Sequence, residues 1–312
     1  MTEIIEIKED GNVLTFPIFE NIKVSTKTFI IMTNLKLNIE ELYNRLPITD
    51  YAYTPRRRGR RKKNEVATPV IQIDDGSIIT LEYKNNIRGV NLKKKKKTVT
   101  KANFFRNALT VVIMIDSKKI NFKVSNNGKI QMTGCKEDKH CEQCIKWLWF
   151  YIKDTTIYEF QTVTKILKII FIPAMRNIDF SLHFNVDREK LDEYFNQHTK
   201  YHSLLETSFG YTGVNIKIPL CKPIHELMLK SLEYINDEWS TPTYVQFADY
   251  LNMLSEKDIA KKLKKKRYNT FLIFHSGKII MSGMEETFMK ESYYDFIHII
   301  TKCYHQIKEK LK

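Results

Sequence analysis

Cys135, His140, Cys141 and Cys144 bring four metal-ligand side chains into ten residues, and thiolate–imidazole sets of this kind hold zinc. The stretch falls at a strand-to-helix junction and is tighter than the usual paired-ligand spacing, which weighs against a metal site. The expectation is no cofactor, with zinc at this cluster left open. A second chemistry belongs to Arg58-Gly59-Arg60, inside the run from Arg56 to Lys63. Guanidinium groups flanking a glycine can enter a narrow, electronegative minor groove, although the prolines that usually frame such hooks are missing. An import signal or a solvated loop competes with that reading. If the loop enters the minor groove of DNA, replacing Arg58 and Arg60 with alanine should weaken binding most on A·T-rich duplexes. A loss that is equal on every duplex would reduce the loop to phosphate contact.

The runs Lys93 to Lys97 and Lys261 to Arg267 offer amines to phosphates and are expected in loops before strands. No Walker loop, Gly-rich dinucleotide turn or nucleophile–base constellation is found, so no enzyme is expected. Across 312 residues, 51 Lys and Arg face 36 acids, a net charge of +15 that favours a polyanionic partner. The most apolar stretch, Ile166 to Met175, is interrupted by Lys168 and Pro173 and is too short to span a bilayer, so no membrane partner is expected. The N-terminus has no basic-then-apolar order, and the five cysteines are an odd count, which together suggest free thiols in a reducing compartment.

These residues sit in a chain that repeats itself. Gly128-Lys129-Ile130-Gln131-Met132-Thr133-Gly134 returns as Gly277-Lys278-Ile279-Ile280-Met281-Ser282-Gly283, at an offset of 149. Leu35-Lys36-Leu37-Asn38-Ile39 is echoed by Leu182-His183-Phe184-Asn185-Val186, at an offset of 147. Two echoes with nearly one offset indicate a duplicated module of roughly 150 residues. The first repeat is read as 1–160 with a basic insertion at 54–100, the second as 161–312 with a mostly helical insertion at 221–268.

Each repeat reads strand, helix, antiparallel strands, helix. Asn38 caps the first helix, with Glu40 and Glu41 in its first turn. Val70 to Tyr83 suggests a hairpin turning at Asp74-Asp75-Gly76. Strands follow at Leu109 to Ile115, Lys119 to Val124 and Lys129 to Met132, with a tight turn at Asn126-Asn127-Gly128. A helix carrying Trp147, Trp149 and Phe150 as core closes the repeat. In the second repeat the periodicity predicts a strand over Ile178 to Phe184, a helix from Asp187 to Phe195 and a strand over Val214 to Ile218. The class is α+β, with helices on one face of an antiparallel sheet.

The segment Ile273-Phe274-His275-Ser276-Gly277-Lys278-Ile279-Ile280-Met281-Ser282-Gly283 resembles the I-F-x-S-G-K-x-x-x-T-G signature of the TATA-box-binding protein family. Val124 to Gly134 is a looser second copy, and Arg176-Asn177-Ile178 is similar to the family's Q-N-I. With its two insertions, the chain resembles the divergent members found in nucleocytoplasmic large DNA viruses.

The resemblance implies a saddle whose curved antiparallel sheet forms the concave face, with helices on the convex face. It also implies a monomer with internal pseudo-two-fold symmetry. The concave face would take A·T-rich double-stranded DNA through the minor groove, with aromatic wedges unstacking base steps. General initiation factors and an RNA polymerase would be the protein partners. The implied location is intracellular, in a cytoplasmic viral factory or the nucleus, and packaging into virions would fit.

Position by position, the resemblance makes Phe274 a wedge, Ile280 and Ser282 groove contacts beside Lys278, and Asn177 a base contact. The other wedge of that repeat falls near Tyr211, with Phe209 as a rival register. The first repeat carries Ser125 at the wedge position, then Lys129, Gln131 and Thr133, with Thr26 and Thr28 near the asparagine position. Its other wedge falls near Leu109 or Thr110, with Ile87 in another register. Only Thr133 keeps the groove-contact type, which implies asymmetric or weakened bending. A rival function is a protein-interaction scaffold that kept this fold and lost autonomous DNA binding.

Overall fold

The structure is a computed structural model that describes residues 4–9, 12–51, 73–92, 107–206 and 213–309. In chain order, β1 (Ile4–Glu9) and β2 (Asn12–Pro17) pair antiparallel, followed by β3 (Val24–Thr33), β4 (Leu35–Leu37) and α1 (Ile39–Arg45). Next come β5 (Ile78–Tyr83), β6 (Asn86–Gly89), β7 (Ala108–Ile115), β8 (Lys118–Ser125), β9 (Lys129–Cys135) and α2 (Asp138–Ile152). The chain continues through β10 (Tyr158–Phe160), β11 (Leu167–Ser181), α3 (Arg188–His198), β12 (His202–Glu206) and β13 (Gly213–Pro219). β14 (Met228–Ile235), β15 (Glu238–Trp239), β16 (Thr243–Gln246), α4 (Phe247–Asn252) and α5 (Glu256–Lys264) precede β17 (Tyr268–Phe274), β18 (Lys278–Gly283) and α6 (Glu286–Ile307).

Two compact units result. One comprises Met1–Thr28, Pro173–Lys230 and Thr243–Lys312; the other comprises Phe29–Ile172 and Ser231–Pro242. We call them the second-repeat unit and the first-repeat unit. The opening segment of the chain therefore packs within the second-repeat unit, where Leu14, Phe16, Phe19 and Ile22 join its core.

Local sequence explains most elements. Asn38 accepts from the Glu41 backbone N–H at 3.2 Å, and Asp187 does the same for Lys190 at 3.2 Å, so both first helices are side-chain capped. Three hairpins turn on two consecutive left-handed residues, at Lys84-Asn85, Asp116-Ser117 and Asn236-Asp237. Such turns match the right-handed twist of their strands.

In the second-repeat unit, strands run in the order β12, β13, β17, β18, β11, all antiparallel. Phe271, Ile273, Ile279 and Met281 point to the helix side, against Leu191 and Phe195 of α3 and Phe296 of α6. The Phe271 and Phe296 rings stack at 4.2 Å. In the first-repeat unit the order is β9, β8, β7, β5, β6. There Val111, Ile113, Phe122 and Met132 pack with Leu42 of α1 and Leu148 of α2. Each unit is α+β, with helices on one face of an antiparallel sheet.

The two sequence echoes turn out to be halves of one contact. Gly128, in the turn before β9, has φ +72° and a backbone O that accepts from Thr33 N at 3.3 Å. Gly277, before β18, has φ +73°, and its O accepts from Leu182 N at 2.9 Å. Leu37 N donates to Asn126 O, and Val186 N donates to His275 O, both at 2.8 Å. Every partner is 149 residues from its twin, and so are the two caps, Asn38 and Asp187. The 147 offset read from the leucines is thus corrected: Thr33 pairs with Leu182 and Leu35 with Phe184. Backbone contacts and caps set this register, and side-chain likeness misled by two residues.

Other expectations change as well. A turn forms at Asp74-Asp75-Gly76, where Ser77 N donates to Asp74 O at 3.2 Å, but Val70 to Gln72 of the expected hairpin lie outside the described residues; β5 itself pairs with β6 through Lys84-Asn85. Gly76 lies against the Trp147 ring, where an added Cβ would sit 2.2 Å from ring carbon. The insertion at 221–268 is not mostly helical. A short 3-10 turn at Ile224–Glu226 leads into β14, which pairs with β11 and donates from Ser231 Oγ to Ile169 O at 3.1 Å, and α4 and α5 follow as its α-helices. Residues Lys261 to Lys264 end α5 and do not form a loop. Ser255 caps that helix, and lysines in its last turn complement its dipole. Phe150 is 60% exposed, so only Trp149 and, in part, Trp147 serve the core. The strand expected over Ile178 to Phe184 runs from Leu167 to Ser181, because Leu182 to Phe184 fold over Gly277.

Candidate nucleic-acid interface

Strand alternation leaves one face of each sheet without helices, and register places side chains on it in rows. In the second-repeat unit one row reads Leu204, Asn215, Leu272, Ile280, Asp179. The neighbouring row reads His202, Lys217, Thr270, Ser282, Asn177. Phe274 pairs with Gly213 at the end of β17, and Lys278 pairs with Ser181. Phe274, Ile280, Ser282 and Asn177 are half-buried; Lys278 is exposed. Leu204, at 52% exposure, Leu272 and Ile280 are the apolar members of the first row, on the face opposite the helix-side core. The Asn177 side-chain oxygen is shielded and has no hydrogen-bond partner, while its backbone O accepts from Ser25 Oγ at 3.2 Å. A buried amide oxygen without a partner is the exception in folded proteins and singles out this position.

The equivalent rows of the first-repeat unit are polar. One reads Glu82, Thr110, Lys123, Gln131, and the other Thr80, Val112, Asn121, Thr133. Gln131, Thr133 and Lys129 are exposed, and Ser125 pairs with Ala108. Thr28, the residue 149 before Asn177, is 9% exposed, and Thr26 is half-buried. Leu109 is buried in the helix-side core, so Thr110 is the member of that pair on the open face. Farther along the same face, Ile79, Val112 and Met114 lie under Tyr51, Ile73 and Leu92. A register shift between Ile78 and Thr80 puts the extra residue there.

The structure therefore brings Phe274, Lys278, Ile280, Ser282 and Asn177 together, and Lys129, Gln131 and Thr133 together. Tyr211, its rival Phe209, Arg58, Arg60 and Lys93 to Lys97 lie outside the described residues. Sequence reasoning missed Leu204, Leu272, Lys217 and Asp179. Period-two alternation from Asn177 and Phe274 was the signal that places Asp179 and Leu272 beside them.

The cysteine cluster is packed rather than open. Lys136 N donates to His140 Nδ1 at 3.3 Å, and His140 Nε2 lies 3.3 Å from an Asp116 carboxylate oxygen. Cys141 Sγ donates to Asp138 O at 2.9 Å. Burial pushes the Cys141 and Cys144 thiols well up, which disfavours the thiolate that binds metal. Among the described residues, no group of three or more His, Cys, Asp or Glu is arranged to hold a metal ion.

Two units of one plan, each with a glycine hairpin seated on the strand before its first helix, define a duplicated α+β module with one open sheet face per unit. No family model matches the chain. It is 25% identical over 287 residues to the uncharacterized protein 335L of Invertebrate iridescent virus 6, covering 89% of this chain and 83% of that one. It is 28% identical over 236 residues to the TATA-box-binding protein-like protein of Acanthamoeba polyphaga mimivirus, covering 70% of this chain and 53% of that relative. The solved Methanococcus jannaschii TBP aligns with 90% of this chain and 98% of its own, at 12% identity and a TM-score of 0.41. The chain is thus similar to a TATA-box-binding protein-like protein of a large DNA virus and to an uncharacterized protein of another.

Proposed function

We propose that this protein is a DNA-binding transcription initiation factor that seats A·T-rich promoter DNA, by its minor groove, on the open sheet face. The observation that carries the proposal is the set of open-face apolar side chains Leu204, Leu272, Ile280 and Phe274, with Asn177 on the same face. The minor groove at A·T pairs offers only acceptors, so apolar fit and shape are the means of reading it. Lys217 and Lys278 on the same face, and a net charge of +15, supply the attraction to phosphate. Its role is binding rather than catalysis, and recruitment of initiation factors and a polymerase follows from that class. It acts inside the cell, where viral genes are transcribed.

The test is equilibrium binding to matched A·T-rich and G·C-rich duplexes across a salt series. A preference for A·T-rich DNA is expected, with affinity falling steeply as salt rises through counterion release. Equal affinity for both duplexes at physiological salt would overturn promoter reading.

The polar rows around Lys123 and Gln131, with the self-covered patch at Val112 and Met114, favour a second reading. In that reading the protein is a scaffold of a transcription complex with little DNA binding of its own. Failure to bind every duplex, with retained binding to the transcription machinery, would select it.

A further inference from the structure

Asp179 is out of character with its row. It is the only carboxylate of the row, pairs with Ile280, whose other partner across the sheet is Leu272, and is exposed on the open face of the second-repeat unit. In the other repeat, the residue 149 earlier is Ile30. Ser25 Oγ donates to Asp179 Oδ1 at 3.4 Å and also bonds Asn177 O, which holds this part of β11 in place. Two residues before Asp179, in the next row of the same face, stands Asn177 with its orphaned side-chain oxygen. Asp179 thus presents an exposed acceptor beside Ile280 and Leu272, with Ser282 and Thr270 in the next row and Asn215 and Lys217 farther toward β12.

An ionised carboxylate only accepts hydrogen bonds. Of the standard base pairs, only G·C places a donor in the minor groove, the guanine N2 amino group, while A·T pairs present acceptors alone. Opposite an A·T pair, Asp179 would face like partners in a strongly negative groove and lose its hydration without compensation. Opposite guanine, the same carboxylate gains an N–H donor. Resting on the minor-groove reading above, we infer that Asp179, with Asn177 beside it, selects a guanine at one position of the half-site taken by the second-repeat unit, within an otherwise A·T-rich element.

Inosine supplies the test, because an I·C pair lacks the N2 amino group and so resembles A·T in the minor groove. A duplex series would carry A·T, I·C or G·C at each position in turn, with binding measured for the parent and for Asp179→Val. At one position the parent is expected to bind G·C about tenfold more tightly than I·C. Asp179→Val should remove that difference and raise affinity for the all-A·T duplex. Asp179 is exposed, so the variant should fold, and its thermal melting would be compared with the parent's. Equal binding of G·C and I·C everywhere, or a guanine preference that survives in Asp179→Val, overturns the assignment alone. Absence of binding to every duplex overturns the DNA reading beneath it as well.

Discussion

Gly277→Ala is expected to lower the unfolding free energy by about 3 kcal/mol, and Gly128→Ala by a similar amount. Both glycines hold a left-handed φ, near +73°, that costs an L side chain about 1–2 kcal/mol. Both also press on backbone. A Cβ on Gly277 would sit 2.2 Å from Phe184 O, and one on Gly128 would sit 2.3 Å from Leu35 O. A carbonyl within a hydrogen-bonded segment has little room to retreat, so the overlap adds to the torsional cost. Gly134 separates the two effects. Its φ is +86°, yet an added Cβ there would meet nothing within 4 Å, so Gly134→Ala should cost only about 1 kcal/mol. Urea unfolding of the three variants decides the matter. Equal losses at Gly277 and Gly134 would show that the seat on Phe184 contributes nothing.

Phe274→Ala is expected to cost about 2 kcal/mol in DNA binding and to reduce bending, because the ring supplies the apolar wedge area of the second-repeat face. The ring is half-buried and pairs with Gly213, which has no side chain to compete for the space. Ser125→Ala, at the twin position of the first-repeat unit, should cost well under about 1 kcal/mol. A hydroxyl there brings little apolar area, and its strand neighbours Lys123 and Gln131 are polar. Equilibrium binding and a fluorescence bend assay on both variants would test the asymmetry. Parental binding and bending by Phe274→Ala would show that this ring is not a wedge.

Much of this architecture was legible in the chain because it is locally encoded. Asn38 and Asp187 announce two helix starts through their own side chains. The glycine of each signature announces a turn through its own φ. Alternation in β17 and β18 separates Phe271, Ile273, Ile279 and Met281 from Phe274, Ile280 and Ser282 with no knowledge of what packs where. The duplicated plan, the α+β class and the grouping of Phe274, Ile280 and Ser282 follow from these short-range signals.

Contacts between residues far apart in sequence were decided by tertiary structure alone. The leucines at 35 and 182 suggested an offset of 147, whereas backbone hydrogen bonds to Gly128 and Gly277 impose 149. Nothing in the run from Met228 to Ile235 names β11 as its partner. The packing of Tyr51, Ile73 and Leu92 over Val112 and Met114 is likewise invisible to periodicity, which marks apolar positions without saying what covers them. Asp179 shows the same division. Its type and its parity with Asn177 are written in the sequence, but its place beside Ile280 depends on how β11 registers against β18. Caps and turns are set by a few adjacent dihedrals, and the sequence by itself determined those. Register and cover depend on which distant strands pair and how each sheet twists, and only the folded chain decides that.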